Sequence, residues 1–164
     1  MNLNNFTIKS QEVIANAQMI AMNSQQQQID SLHILKSILD IDRNVVPFLI
    51  KKQEGDPKII AQIVENQIKT LPTVQGGEIY LSGGAQSAIQ KALLFCNELG
   101  DEFVSLEHLF FGLFMANDGT SKILKDAGMT EKGLRIAIQE LRKGSKANSS
   151  GSEDTYNALN KYAR

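Results

Sequence analysis

With 164 residues and 42% apolar composition, the chain is long enough to bury a joint core and too hydrophobic to stay unfolded. Its 17 basic and 18 acidic side chains leave a net charge of −1, so neither nucleic acid nor a membrane surface is an implied partner. One cysteine, Cys96, excludes an intramolecular disulfide and fits a reducing, cytoplasmic setting.

The N-terminus carries no basic and apolar signal segment, and the longest apolar run, 109–116, is too short to cross a membrane. Thr7 is a suitable N-cap, and Val13, Ile14, Ala17, Ile20 and Ala21 follow at helical spacing, predicting a long helix over roughly 8–23. A polar connection over 23–28 leads to Asp30, which caps a second helix carrying Leu32, Ile34, Leu35, Ile38 and Leu39. A short helix over about 45–52 ends at Gly55. Asp56 then caps a fourth, with Pro57 in its first turn and Ile59, Ile60, Ile63, Val64 and Ile68 as its apolar set. Residues 71–77, Leu-Pro-Thr-Val-Gln-Gly-Gly, break the pattern and read as a joint, with 78–81 as extended linker. Ser82 caps a long helix to about 99, Ser105 caps another through 114, and a short helix covers about 120–127. Thr130 caps the last, with Leu134, Ile138 and Leu141 on its buried side.

The halves align on themselves at a spacing of 75 residues without a gap. His33 falls on His108, Gln11–Ala17 on Gln86–Ala92, Phe48-Leu49 on Ile123-Leu124 and Glu65 on Glu140. Such internal repetition predicts a duplicated helical unit and an all-α fold, with a shared seam between unequal copies. From 144 to 154 the composition turns to Ser, Gly, Asn and Lys, a flexible tether, after which 155–164 becomes helix-competent again. The expectation is a fragment that stops where another domain begins.

No phosphate-cradling Gly-Lys-Ser/Thr motif is present, and Gly83-Gly84 reads as a turn that frees a helix start. Cys96 lies on the stripe Ala85, Ile89, Ala92, Leu93 and predicts a buried, inert thiol. His33 and His108, at equivalent helix starts, lack the companions of a metal site and predict packing or a local hydrogen bond. Glu98, Asp101, Glu102 and Glu107 read either as a solvated face or as a polar contact surface. No nucleophile stands with a base, so no catalytic residue, cofactor site or metal site is expected. Met19 and Leu94 lie opposite the core stripe of the two long helices, and Ile20 and Phe95 at its edge. These apolar residues need a second partner, either the seam or a surface groove.

Phe6-Thr7 with the long first helix, Asp30-Ser31-Leu32-His33, the Leu71–Gly77 joint with Tyr80-Leu81-Ser82, and Asp101–Leu109 occur in one order. Together they resemble the Clp repeat N-terminal domain of the Clp/Hsp100 AAA+ chaperones over about residues 3–143. The joint and the 157–162 tail are most similar to the disaggregase branch. The resemblance implies two four-helix repeats, about eight helices, related by a pseudo-twofold axis: repeat 1 over about 6–70, the joint 71–81, repeat 2 over about 82–143, and 144–164 as linker to an absent ATPase module. It implies weak binding of unfolded or aggregated polypeptide and its transfer to a hexameric ring. ATP, Mg and the coiled coil that recruits the Hsp70 system would lie beyond this chain. It associates Thr7, Asp101 and Glu107 with client contact, beside Met19, Ile20, Leu94 and Phe95. The alternative is the protease-associated branch, which docks adaptors or tagged substrates. Leu32, where an acid would precede His33, argues against a symmetric pair of guanidinium-phosphate sites.

Overall fold

The computed structural model describes residues 2–143, 147–154 and 156. Eight α-helices build the body, α1 (Ile8–Asn23), α2 (Ser31–Ile41), α3 (Val45–Lys52), α4 (Pro57–Ile68), α5 (Gly83–Glu98), α6 (Leu106–Met115), α7 (Gly119–Asp126) and α8 (Glu131–Arg142), and residues 152–154 are helical as well. Side-chain caps set most of the starts. Thr7 accepts from the Ser10 N–H at 3.1 Å and Ser82 from that of Ala85 at 3.1 Å. Asp56 accepts from the Lys58 N–H at 2.9 Å and Thr130 from that of Gly133 at 3.0 Å, each satisfying an otherwise unpaired first-turn amide.

The caps also measure the repeat. Thr7 and Ser82, then Asp30 and Ser105, are 75 apart, whereas Asn44 and Asp118, then Asp56 and Thr130, are 74 apart. The gapless register therefore holds only through the second helix of each half. Helix α6 has 10 residues against 11 in α2, and this shortening moves Ile123-Leu124 onto Leu49-Ile50 and Glu65 onto Gln139.

Two short parallel pairings tie the halves together. Strand β1 (Gln28–Ile29) pairs with β2 (Tyr80–Leu81), and Phe6 bridges Val104. At 75 residues Phe6 corresponds to Leu81 and Ile29 to Val104, so one pairing is the other with the halves exchanged. The helices obey the same rule: α3 packs on α8 and α4 on α7. Both patterns are what a pseudo-twofold axis requires. The core runs continuously through both halves, from Val13, Leu35, Ile38 and Leu49 to Phe110, Leu113, Leu124 and Leu134.

The two halves approach their long helices differently. Ser37 Oγ donates to the Val13 carbonyl at 2.7 Å. The equivalent of Ser37 is Gly112, where a Cβ would collide with the Ala88 carbonyl, itself the equivalent of Val13. Glycine is required there because α5 and α6 cross with backbone against backbone.

Residues 147–154 lie against this body, where a free tether was expected over 144–154. The Glu102 and Phe103 amides donate to the Ala147 carbonyl at 3.1 and 2.9 Å, and the Ile8 amide to Ser150 at 3.0 Å. Polar composition forecasts low apolar gain, but here backbone hydrogen bonds hold the segment. Of the helix-competent stretch 155–164, all but Tyr156 falls outside the described residues.

Candidate functional site

Each half builds a seat around its histidine. The Asp30 amide donates to His33 Nδ1 at 2.8 Å and the Ser105 amide to His108 Nδ1 at 2.9 Å, the reach-back of a capping box made by imidazole. With Nδ1 accepting, the ring proton lies on Nε2. His33 Nε2 meets Gln26 Oε1 at 2.6 Å, and His108 Nε2 meets Asp101 Oδ2 at 2.7 Å. Gln26 and Asp101 are 75 apart, so both rings use one geometry. Burial lowers the His33 pKa, against the pull of Asp30. Both histidines are thus local hydrogen-bonding groups, and no cluster of metal-binding type occurs among the described residues.

The second seat differs in charge. Glu107 stands where the first half has Leu32, and Arg142 where it has Ile68. Arg142 donates to Asp101 Oδ2 at 2.7 Å and to Glu107 Oε2 at 2.8 Å, and Ser105 Oγ donates to Glu107 Oε1. All of these side chains are buried. Burial pushes the Asp101 carboxyl up, but hydrogen bonds from His108 and Arg142 and the charge of Arg142 outweigh it and hold it at about 2. Burial would likewise depress the Arg142 guanidinium; Glu107 and Asp101 hold it above its ordinary value. Cys96 is buried too, its thiol raised to about 11 by burial first and then by Asp101, which makes it inert at neutral pH.

The four-acid cluster is therefore divided rather than a solvated face. Asp101 and Glu107 are interior, while Glu98 and Glu102 are exposed, Glu98 pairing with Arg135. Thr7 joins the interior pair from the first half: its hydroxyl donates to Glu153 Oε2 at 2.6 Å, and the Leu106 amide donates to the same oxygen at 3.0 Å. Thr7, Asp101 and Glu107 thus all meet residues 147–154, through Glu153 for Thr7 and Glu107 and through the Ala147 amide for Asp101, with Arg142 over the Tyr156 ring at 5.5 Å. Arg142 and Glu153 were not singled out from the sequence. For Arg142 a signal existed: it takes the place of Ile68, the last apolar residue of α4, once the register slips by one.

The apolar candidates separate. Met19 and Leu94 are 55% and 61% exposed, as their position off the core stripe predicts. Ile20 is half-buried. Phe95 is a correction: it stacks on Phe111 at a centroid distance of 3.8 Å, meets His108 edge-on at 5.7 Å, and is 3% exposed. It stands one helical turn after the buried Ala92 and so belongs to the core face. Leu93, placed on that face by the sequence, is instead 40% exposed.

A groove that the sequence did not indicate opens between α4 and α7. It has a volume of about 600 Å³ and is walled by Ile59, Ile60, Ile63, Ile123 and Ala127, with Glu54, Asp56 and Asp126 at its rim. Ile59 and Ile63 are exposed although they sit among the apolar positions of α4. The opposite seam explains the opening. Between α3 and α8, Gln53 Oε1 accepts from the Thr130 amide at 3.1 Å, and Lys52 pairs with Glu140 at 3.1 Å. Ala127 occupies the position of Gln53 and cannot span the gap.

Comparison with known proteins gives a consistent picture. A model of the Clp repeat (R) N-terminal domain matches residues 5–127. The chaperone protein ClpB of Bacteroides thetaiotaomicron is 48% identical over 163 residues, 99% of this chain and 19% of that protein. ClpB of Porphyromonas gingivalis is 41% identical over the same shares. The chain thus spans about a fifth of the length of these relatives. Among solved structures, the Hsp104 N-terminal domain from Candida albicans superposes with a TM-score of 0.80 at 22% identity, covering 92% of this chain and 99% of that one. The N-terminal domain of ClpD from Arabidopsis thaliana gives 0.67 at 19% identity, covering 88% and 98%. Both likenesses are of fold.

Proposed function

The chain belongs to the family of Clp repeat N-terminal domains, and from that premise we propose that it is the client-binding domain of a ClpB-type chaperone, gripping unfolded or aggregated polypeptide for transfer to an ATPase ring. The observation that carries this reading is the α4–α7 groove: an uncovered apolar trough whose rim holds Glu54, Asp56 and Asp126 against Lys122, which is itself paired with Asp126 at 3.0 Å. Its chemistry suits an unfolded stretch of apolar residues with basic flanks. The exposed Met19 and Leu94 add apolar contact on the long helices. Thr7, Asp101 and Glu107, carried over from the family likeness, are proposed as a second, polar contact for the same clients.

Weak binding is the expected regime. Burying about 400 Å² of apolar surface gains about 10 kcal/mol, and association with ordering of a floppy chain costs about 4–15 kcal/mol. A small surplus suits a domain that must release its client. The hexameric ring, ATP with Mg, and recruitment of an Hsp70 system are proposals for the longer protein. Fluorescence titration with an unstructured leucine- and lysine-containing peptide tests the reading. Binding weakened severalfold by Ile63→Asp supports it; equal binding by both proteins contradicts it.

A further inference from the structure

The polar seat beneath residues 147–154 is occupied in an unusual way. Two donors from different halves, the Thr7 hydroxyl at 2.6 Å and the Leu106 amide at 3.0 Å, converge on the one oxygen Glu153 Oε2. The second oxygen, Oε1, is buried and has no hydrogen-bond partner among the described residues, and Glu153 is only 3% exposed. A carboxylate is matched to its seat when both oxygens are paired and cations face it. Here one oxygen is satisfied and the neighbouring charges are mixed. Glu107 of α6 acts on Glu153 as a like charge and pairs with Arg142 of α8, which also holds Asp101, the partner of His108, and lies over the Tyr156 ring. Arg142 is already shared between Asp101 and Glu107.

We propose that Thr7 Oγ1 and the Leu106 amide form a receptor for a single neutral carbonyl oxygen, and that Glu153 fills it as a displaceable self-ligand, making residues 147–154 an intrinsic competitor of polypeptide for Thr7, Asp101 and Glu107. An unfolded chain carries such an oxygen on every peptide unit and brings no charge to be desolvated. Burial, followed by the charge of Glu107, raises the Glu153 carboxyl to about 7, in keeping with a seat that disfavours the ionised group. The rest of the cover is held by the amides of Ile8, Glu102 and Phe103 and by Asp101 Oδ1, which accepts from the Ala147 amide at 3.2 Å. Those amides report whether it is closed. The competition with clients rests on the polypeptide-binding reading above; the self-ligand does not.

The test uses the full chain with Glu153→Ala, which removes the acceptor, and Glu153→Gln, which keeps it and drops the charge. Amide exchange at Ile8, Glu102 and Phe103 is measured at pH 8, with α2 amides as the folding control. E153A is expected to speed those three by about tenfold or more, the worth of a hydrogen bond to a charged group, and E153Q to slow them. With the leucine- and lysine-containing peptide as probe, E153A is expected to bind about threefold to tenfold more tightly than the natural chain, as removal of a competing closed state requires. Unchanged exchange in E153A, or E153Q exchanging as fast as E153A, overturns the self-ligand. Faster exchange in E153A with unchanged peptide affinity overturns the competition. If neither protein binds peptide, the polypeptide-binding reading fails, and the order of exchange rates still decides the self-ligand.

Discussion

The two histidine seats share a backbone geometry and differ in the side chains around the ring. Around His33 stand Gln26, Leu32 and Ile68; around His108 stand Asp101, Glu107 and Arg142. The first seat closes on itself, because Gln26 accepts from the ring and donates to the Ile68 carbonyl at 2.7 Å. The second holds three ionic groups out of water and engages residues outside its own helices: Ala147 hydrogen-bonds to Asp101, and Thr7 reaches in from the other half to meet Glu153. Duplication fixed the geometry twice, and substitutions at matching positions made one copy self-contained and the other in need of a cover. The seams repeat the lesson, one bridged by Gln53 and the other left open at Ala127.

The largest effect should come from breaking the charged seat. Arg142→Met leaves Asp101 and Glu107 buried without their cation, and is expected to cost about 3–5 kcal/mol in denaturant unfolding. Ile68→Val, at the matching point, should cost about 0.5–1.5 kcal/mol. Rebuilding the neutral set with Asp101→Gln, Glu107→Leu and Arg142→Ile should recover most of the loss. Equal costs at the two positions would show that the seats do not differ as described. Next comes the helix crossing. Gly112→Ala drives a Cβ into the Ala88 carbonyl and is expected to cost about 3 kcal/mol or more, against about 1 kcal/mol for Ser37→Ala, which loses one hydrogen bond.

Acidity separates the body from its cover. Asp101 is depressed to about 2, so its contribution to the fold is present above about pH 4 and is lost as pH falls through 2. Glu153 is raised to about 7, so docking of 147–154 is firmest below the ordinary glutamate value and weakens as pH rises toward 7. Exchange at Ile8, corrected for its intrinsic rate, should therefore quicken between pH 5 and 7, by up to about tenfold per unit, and be flat in E153Q. The smallest effect concerns the bridged seam: Gln53→Ala removes the bond to Thr130 and should cost about 1 kcal/mol, read as a drop in melting temperature.

Much of this was legible from residues. Thr7, Asp30, Asp56, Ser82, Ser105 and Thr130 announced six helix starts, because a capping side chain precedes an apolar period in each case. The repeat, and with it the all-α fold, followed from one spacing. The slip from 75 to 74 was hidden, since isoleucine, leucine and glutamate recur often enough in these helices to align in either register. Phe95 lies at the edge of the stripe by helical angle alone, and it is the ring of Phe111 across the crossing, invisible in local spacing, that draws it into the core. The cover could not be read at all. Ser, Gly and Asn report a high entropic cost, and the bonds that meet it are made by main-chain groups together with Glu153 and Asp101, whose partners lie far away in the chain and leave no local pattern.

The most direct measurement is a residue-resolved NMR titration of the chain with an unstructured leucine- and lysine-containing peptide, comparing the two seams. Saturable shifts concentrated at Ile59, Ile63, Ile123 and Ala127, with Gln53, Thr130 and Gly133 unmoved, are the expected result. They should shrink severalfold in Ala127→Gln, which gives the open seam the bridging side chain of the closed one. Shifts of equal size in both seams, or none along α4 and α7, would contradict the account.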